Sequence, residues 1–192
     1  MRHFLFGYGS LISKHSRDKT AGSGVFIPVR AQGIKRGWII HIPQYRVTAL
    51  GAMTSKNDYC NGVVFEVDES EIPKYDEREI GYDRVKIDQK NIVALEDYSI
   101  PSAMFWAYVN NKEEFSTKEY PIIQSYIDVI LTGCFEISED FARKFIRTTY
   151  GWNSEWINDR KDPRYPRAMN NANEQSIDNI LMDELKENFV RK

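Results

Sequence analysis

Short strand-forming segments follow one another through the first 110 residues of this chain, and one helix interrupts them. In each segment apolar and β-branched residues either run together or alternate with polar ones, which is the pattern of β-strands. The predicted strands are 3–6, 25–42, 48–54, 62–67, 82–87 and 103–109. Because they are short and do not alternate regularly with helices, they favour a mixed or antiparallel sheet that curls toward a barrel.

Turn-forming residues predict where these strands bend. Gly33 and Gly37 indicate a bulge or hairpin between the two halves of the segment 25–42. The dipeptide Asn57-Asp58 indicates a turn ahead of the next strand. We therefore expect several short strands rather than a few long ones in this part of the chain.

Two further segments lie between the strands. Residues 13–24 are rich in Lys, Arg, Ser and Gly, and we expect them to form an exposed loop. The inserted helix is predicted over 70–79, with Asp68 or Ser70 as its cap and Pro73 in its first turn.

The apolar period changes from strand to helix after residue 110. A helix is predicted over 120–131 and is expected to end at Gly133, and Ser138 is expected to cap a second helix. The apolar stripe of a last helix is formed by Ile177, Ile180, Leu181, Leu185 and Phe189.

The predicted fold class is therefore α+β, with a small mixed β-barrel-like sheet, an inserted helix and a C-terminal helical extension. We place a core domain at residues 1–112 and the helical extension, packed on that core, at residues 113–192.

Composition excludes several functional classes. Hydrophobic residues make up 42% and charged residues 28% of the 192 residues, and the net charge is −2. These values are typical of globular proteins and argue against a wholesale nucleic-acid or membrane-surface role. Cys60 and Cys134 lie far apart without metal spacing, so we expect buried small residues rather than a disulfide. Because the chain has neither a signal-peptide pattern nor a membrane span, we expect a cytoplasmic protein.

Two glycines and a serine follow the first strand within four residues, in Gly7-Tyr8-Gly9-Ser10. Such a turn can direct several backbone N–H groups at one point and hold a carboxylate or a phosphate. A strand that simply ends in a tight turn gives the same short pattern.

The inserted helix lies in an acidic segment, which has seven acids and two bases between residues 66 and 79. Ile72, Tyr75 and Glu79 share one stripe of this helix, at i, i+3 and i+7. A carboxyl group that is partly buried among other acids has a raised pKa, which suits proton transfer. Glu79 is thus a candidate acid or base, although a solvated glutamate at a frayed helix end has the same spacing.

Three motifs together resemble the gamma-glutamyl cyclotransferase-like family. They are the loop Tyr8-Gly9-Ser10-Leu11, the strand 61–67, and the segment 76–84, which contains Asp76-Glu77-Arg78-Glu79 and Gly81-Tyr82-Asp83-Arg84. The resemblance covers roughly residues 3–110. In many relatives a glycine follows the glutamate directly, whereas Ile80 intervenes here, and Tyr75 stands where a leucine is common.

The resemblance implies an enzyme that converts a gamma-glutamyl amine, amino acid or peptide to 5-oxoproline and a free amine, as a lyase or transferase. The loop of Tyr8, Gly9, Ser10 and Leu11 would hold the glutamyl head group, and Glu79 would transfer the proton. Tyr82 is a candidate pocket neighbour. The expected partner is this small-molecule substrate, without membrane or nucleic acid and without a metal or other cofactor. The sequence leaves the oligomeric state and the choice of substrate open.

A basic and aromatic segment near the C-terminus supports a rival interpretation. Seven bases, Arg143, Lys144, Arg147, Arg160, Lys161, Arg164 and Arg167, are interleaved with Tyr150, Trp152, Trp156 and Tyr165. Such a segment could bind nucleic acid or another polyanion, or it could form ordered ion pairs in a lid or domain contact. A family member that serves as an inactive scaffold is a third possibility.

Overall fold

The computed structural model describes residues 1–20, 26–95, 97–170 and 173–185. Its strands and α-helices, in chain order, are β1 (His3–Gly7), α1 (Lys14–Asp18), β2 (Phe26–Ile42), β3 (Val47–Val67), α2 (Ile72–Arg78), β4 (Asp83–Ile87), β5 (Ile92–Ala94), β6 (Met104–Val109), β7 (Ile122–Ile123), α3 (Gln124–Phe135), α4 (Glu139–Arg147), β8 (Thr149–Tyr150), β9 (Trp156–Ile157) and α5 (Glu174–Glu184).

One mixed sheet contains seven of these strands, in the order β4-β6-β1-β3-β2-β5, with β8 also paired to β2. Strand β1 lies in its interior, antiparallel to β3 and parallel to β6. The sheet curls into a half-barrel, and several helices accompany it. The predicted α+β class with a mixed, barrel-like sheet is therefore confirmed.

Two compact units divide the chain. The first consists of residues 1–35 and 52–111, and the second of residues 36–51 and 112–192. The predicted domains, a core over 1–112 and an extension over 113–192, stay a prediction; the segment 36–51 and residue 112, which they place in the core, belong to the second unit.

The core of the first unit lies against β1, whose five residues are all buried. Close packing between β1 and β3 depends on Gly62. A Cβ atom at that position would lie 2.5 Å from the Gly7 carbonyl oxygen and 2.6 Å from the Phe6 ring. Real Cβ atoms essentially never show such distances, so the two strands can approach this closely because residue 62 has no side chain.

The hairpin predicted within β2 and the turn predicted within β3 are wrong, whereas a bulge, the alternative predicted for β2, is compatible with the φ of +87° at Gly33. Strand β2 runs without a hairpin through Gly33 and Gly37, and β3 runs through Asn57-Asp58. The lack of a side chain at Gly37 makes room for the Tyr150 ring, which a Cβ atom would approach to 2.5 Å. Asn57 and Asp58 are exposed, so their polarity reflects solvent contact along the strand. The turn lies at residues 43–46 instead.

The segments that flank the candidate site also differ in part from expectation. Residues 14–18 form α1, with Ser16 and Arg17 buried, so an exposed loop over 13–24 is wrong for the part that the structure describes. Pro73 lies in the first turn of α2 as predicted. A short 3-10 helix, Glu69–Glu71, precedes α2, and Asp68 begins it without accepting a capping hydrogen bond through its side chain.

Two helix boundaries were predicted in the second unit, and one of the two predictions is confirmed. Ser138 caps α4 as predicted, because its hydroxyl accepts a hydrogen bond from the Phe141 N–H at 3.0 Å. The predicted end of the preceding helix is wrong, since Gly133 is buried inside α3, which continues to Phe135. Gly133 does not adopt the positive φ that a glycine at a helix end often takes.

Three smaller predictions can be compared with the structure. The stripe residues of α5 are buried up to Leu185, whereas Phe189 lies outside the described residues. Cys60 and Cys134 are buried free cysteines, as expected. Within the described part of the chain, none of the helices has both the length and the apolar character needed to cross a membrane.

Candidate active site

The loop after β1 turns immediately into a short 3-10 helix, Ser10–Ile12, which Gly9 begins. The Ile12 N–H donates to the Gly9 carbonyl oxygen at 2.9 Å. A Cβ atom at Gly7 would lie 2.8 Å from the Leu11 Cβ atom, so Leu11 folds back over the end of the strand. Gly9 and Leu11 are buried and Ser10 is half-buried. Of these three, Ser10 is therefore the most accessible to a ligand.

Arg17 supports this loop from α1. Its Nη1 atom donates to the carbonyl oxygens of Leu11 at 2.8 Å and Ile12 at 2.7 Å. The guanidinium also lies over the rings of Phe26 and Phe65. Only 1% of Arg17 is exposed, so its hydrogen bonds to the last carbonyls of the 3-10 helix are well shielded from water.

Glu79 lies at the C-terminal end of α2, where its backbone N–H donates to the Tyr75 carbonyl oxygen at 2.9 Å. The predicted buried stripe is present: Ile72 is 5% and Tyr75 0% exposed, and the Glu79 side chain is 19% exposed. Tyr82 is half-buried just ahead of β4, and its N–H donates to the Glu79 carbonyl oxygen at 3.1 Å.

Arg78 connects Glu79 to the loop. Its Nε atom lies 3.0 Å from Glu79 Oε1, and its Nη2 atom donates to Ser10 Oγ at 3.1 Å. The same guanidinium donates to the Ser16 carbonyl oxygen and Oγ, each at 3.1 Å, and to Thr20 Oγ1. The two predicted motifs thus meet at one arginine, to which the sequence pattern assigned no role.

The acids around α2 are paired with cations rather than crowded together. Besides Glu79 with Arg78, the carboxylate–cation pairs are Glu66 with Arg2, Glu71 with Lys74, and Asp76 with Arg84. Four of the seven acids in the segment 66–79 therefore have a cationic partner, so like-charge repulsion is not the dominant influence there. A guanidinium beside the Glu79 carboxylate favours its ionised form.

A second hydrogen-bonded route links the loop to α2 through β6. The Tyr8 hydroxyl donates to the Tyr108 carbonyl oxygen at 2.7 Å, and the Tyr108 hydroxyl donates to Asp76 Oδ1 at 2.8 Å. Asp76 also accepts from Arg84 Nε at 2.8 Å. Burial raises the pKa of Tyr108, and the hydrogen bond to Asp76 and the nearby negative charges add to this effect. Tyr108 therefore stays protonated and acts as a donor.

Comparison with known proteins identifies the family. Residues 5–126 match the family model described as gamma-glutamyl cyclotransferase, AIG2-like. The chain belongs to this family. Both the loop and the segment with Glu79 lie within the matched residues. A search among curated proteins found no significant match.

Solved structures show the same fold at low sequence identity. A gamma-glutamyl cyclotransferase aligns over 94% of this chain and 98% of its own, with a TM-score of 0.61 and 17% identity. An uncharacterized protein from Homo sapiens aligns over 93% of this chain and 98% of its own, with a TM-score of 0.58 and 16% identity. YkqA from Bacillus subtilis aligns over 76% of this chain and 53% of its own, with a TM-score of 0.55 and 16% identity.

Membership of the gamma-glutamyl cyclotransferase, AIG2-like family supports a cyclotransferase-type function and implies a small-molecule substrate. Within the residues described, no group of three or more His, Cys, Asp or Glu side chains could hold a metal ion.

The basic and aromatic segment of this cyclotransferase-family chain is largely engaged within the second unit. Ion pairs join Arg143 and Arg147 to Glu184, Lys144 to Asp140, and Arg160 to Asp128. The aromatic rings contact one another or the core, in the pairs Trp38–Trp152, Trp152–Trp156 and Tyr126–Tyr165. Four of the seven bases of this segment therefore take part in ion pairs within the second unit.

Proposed function

We propose that this chain converts a gamma-glutamyl amine, amino acid or peptide into 5-oxoproline and a free amine. In this proposal Glu79 transfers the proton, and the residues Tyr8, Gly9, Ser10, Leu11 and Tyr82 bind the substrate. The observation that carries the proposal is the connection from Ser10 through Arg78 to Glu79, which consists of a hydrogen bond and an ion pair. This connection brings the loop and the carboxylate together. Its linking residues, Ser10 and Arg78, are 68 positions apart in the sequence.

The reaction needs no group beyond the substrate and one proton carrier. The α-amine of the glutamyl part attacks the γ-carbonyl carbon, and the new C–N bond closes a five-membered ring. Glu79, as a carboxylate, accepts a proton from the attacking nitrogen and returns it to the leaving nitrogen as the original C–N bond breaks. Proton transfer of this kind contributes about 10²–10⁴-fold to a rate, and correct orientation within one molecule can contribute about 7–11 kcal/mol.

The proposed roles of the loop residues follow from their contacts. The Tyr8 hydroxyl donates to β6 and Leu11 is buried, so these two side chains support the loop while its backbone binds the substrate. Gly9 and Ser10 would provide N–H groups for the glutamyl carboxylate, in the manner of backbone anion sites. Tyr82 follows Glu79 closely in the turn after α2 and would border the bound substrate.

Replacement of the proposed acid-base residue tests this mechanism. Glu79→Gln keeps the size of the side chain and removes its ability to accept a proton. We expect a folded protein whose release of 5-oxoproline falls by at least about 10²-fold. Glu77→Gln is the matched control, because Glu77 is exposed on the same helix. Unchanged activity in Glu79→Gln would show that another group transfers the proton.

The substrate is found by incubating the wild-type chain with gamma-glutamyl amino acids, gamma-glutamylamines and glutathione and assaying 5-oxoproline. The loop and Glu79 are expected to act on the glutamyl part that these compounds share. The compounds differ in their leaving groups, so a difference in activity reports the preference for the leaving group. We expect at least one compound to give 5-oxoproline and an equal amount of free amine. If none does, the inactive scaffold becomes the better interpretation.

A further inference from the structure

We propose that Arg78 is a positioning residue that orients the Glu79 carboxylate and couples it to the loop at Ser10. This inference rests on the proposed function and assigns a role to a residue of the segment 76–84 that has none in the proposed mechanism. Its basis is the set of contacts that the guanidinium makes.

Arg78 is held from three sides. Its Nε atom contacts Glu79 Oε1, Nη1 donates to the Ser16 carbonyl oxygen and Thr20 Oγ1, and Nη2 donates to the hydroxyl oxygens of Ser10 and Ser16. Only 7% of the side chain is exposed. A guanidinium is planar with its donors in a fixed fork, so the contacts of Nε with Glu79 and of Nη2 with Ser10 are enough to define one orientation for the group.

This arrangement has two consequences for the carboxylate. First, a partly buried cation 3.0 Å from Glu79 Oε1 stabilises the ionised form that a general base requires. Second, the direction of the carboxylate is fixed relative to Ser10, because both contact the same rigid group. A misplacement of about 1 Å in such a group can reduce a rate by about 10²-fold.

Other titratable groups lie in the same part of the first unit as Glu79. Tyr108 of β6 is protonated and donates to Asp76, which in turn pairs with Arg84 of β4. The charge of Glu79 contributes to the raised pKa of Tyr108, as a smaller cause than burial and the contact with Asp76. Asp76 already has a cationic partner of its own, whereas Arg78 is in direct contact with Glu79.

Three variants separate positioning from a purely structural role. Arg78→Gln removes the charge and the fork, Arg78→Lys keeps the charge without the fork, and Thr20→Val removes one contact of the guanidinium with the segment after α1 while leaving Glu79 untouched. The measurements are the folded state by circular dichroism, then kcat, KM and the pH dependence of kcat/KM with the best substrate of the 5-oxoproline assay.

We expect kcat of Arg78→Gln to fall by about 10²-fold with a smaller change in KM. The acid limb of its pH profile should move upward, because the carboxylate loses its cation. Arg78→Lys should keep the acid limb near that of the wild type and recover part of kcat. Thr20→Val should retain wild-type kcat and pH profile.

Two outcomes would overturn the role of Arg78 while leaving the proposed function intact. The first is that Arg78→Gln has the kcat of the wild type and an acid limb at the same pH. If that variant does not fold, the corresponding outcome is that Arg78→Lys has the kcat and the pH profile of the wild type. The other is an equal loss of kcat in Thr20→Val, which would mean that Arg78 acts by anchoring the segment after α1. A wild-type chain that releases no 5-oxoproline from any substrate would overturn the proposed function, and the role of Arg78 with it.

Discussion

Substitution of Gly62 by alanine should destabilise the first unit at the point where β1 and β3 pack most closely. The added methyl group would lie 2.5 Å from the Gly7 carbonyl oxygen, whereas ordinary van der Waals contacts begin at 3.4 Å. The methyl group would also lie 2.6 Å and 2.9 Å from two carbon atoms of the Phe6 ring. The strands or the ring must therefore move by almost an ångström.

The size of the effect depends on which neighbour can move. A ring can rotate or shift, but the Gly7 carbonyl belongs to β1, whose neighbour on one side is β3 and on the other β6. Overpacking of this kind costs about 1–3 kcal/mol, and a backbone neighbour places Gly62→Ala in the upper half of that range, at about 2–3 kcal/mol. For a chain of this length such a loss lowers the melting temperature by about 5–10 °C.

Urea unfolding followed by circular dichroism measures the loss, and an unchanged m-value shows that the folded and unfolded states are otherwise comparable. The double variant Gly62→Ala with Phe6→Leu separates the two contacts. Because the contact with the backbone remains, we expect Phe6→Leu to restore little of the lost stability. A Gly62→Ala protein within about 0.5 kcal/mol of the wild type would refute the close packing of these strands.

Two further predictions concern the second unit. Asp159→Ala removes the acceptor for the Ser125 N–H at 2.7 Å and hydroxyl at 2.6 Å, and should lower the free energy of unfolding by about 1–3 kcal/mol in urea. The pKa of Glu184 is lowered from 4.5, chiefly by its hydrogen bond with Arg147. Glu184 therefore stabilises the fold above about pH 4.5, and this contribution is lost as the pH falls through the folded-state pKa of Glu184. Glu184→Gln should therefore show a smaller acid-induced loss of stability than the wild type in melting curves between pH 6 and about pH 3.

Local sequence signals predicted the elements whose causes are local. Ser138 caps α4 through a backbone group three residues away, and Pro73 lies where its missing N–H does no harm. The position of the turn between β2 and β3 could not be predicted from such local signals. Asn57-Asp58 has the composition of a turn, but the pairing of β2 with β3 keeps these exposed residues in a strand.

The two arginines of the candidate site show why part of that site escaped prediction. Composition places arginine at the surface unless a partner is present, and the partners here are distant in sequence. Arg78 contacts Ser10, which precedes it by 68 positions. Arg17 satisfies backbone carbonyls of the 3-10 helix, which no pattern of side chains reveals. The sequence could therefore indicate Glu79 and the loop, but not the cation between them.

Ile80, the residue after Glu79 that departs from the family pattern, lies in the turn after α2 and not in the helix. Ile80 separates Glu79 from Gly81, and its side chain is 78% exposed. Gly81 has a φ of +92°, a conformation that glycine adopts readily, and it lies in the turn two positions after Glu79. Glu79 still ends α2 with its N–H on Tyr75 and its carboxylate on Arg78. Ile80 thus lies in the exposed turn, where it disturbs neither the attachment of Glu79 to the helix nor its contact with Arg78.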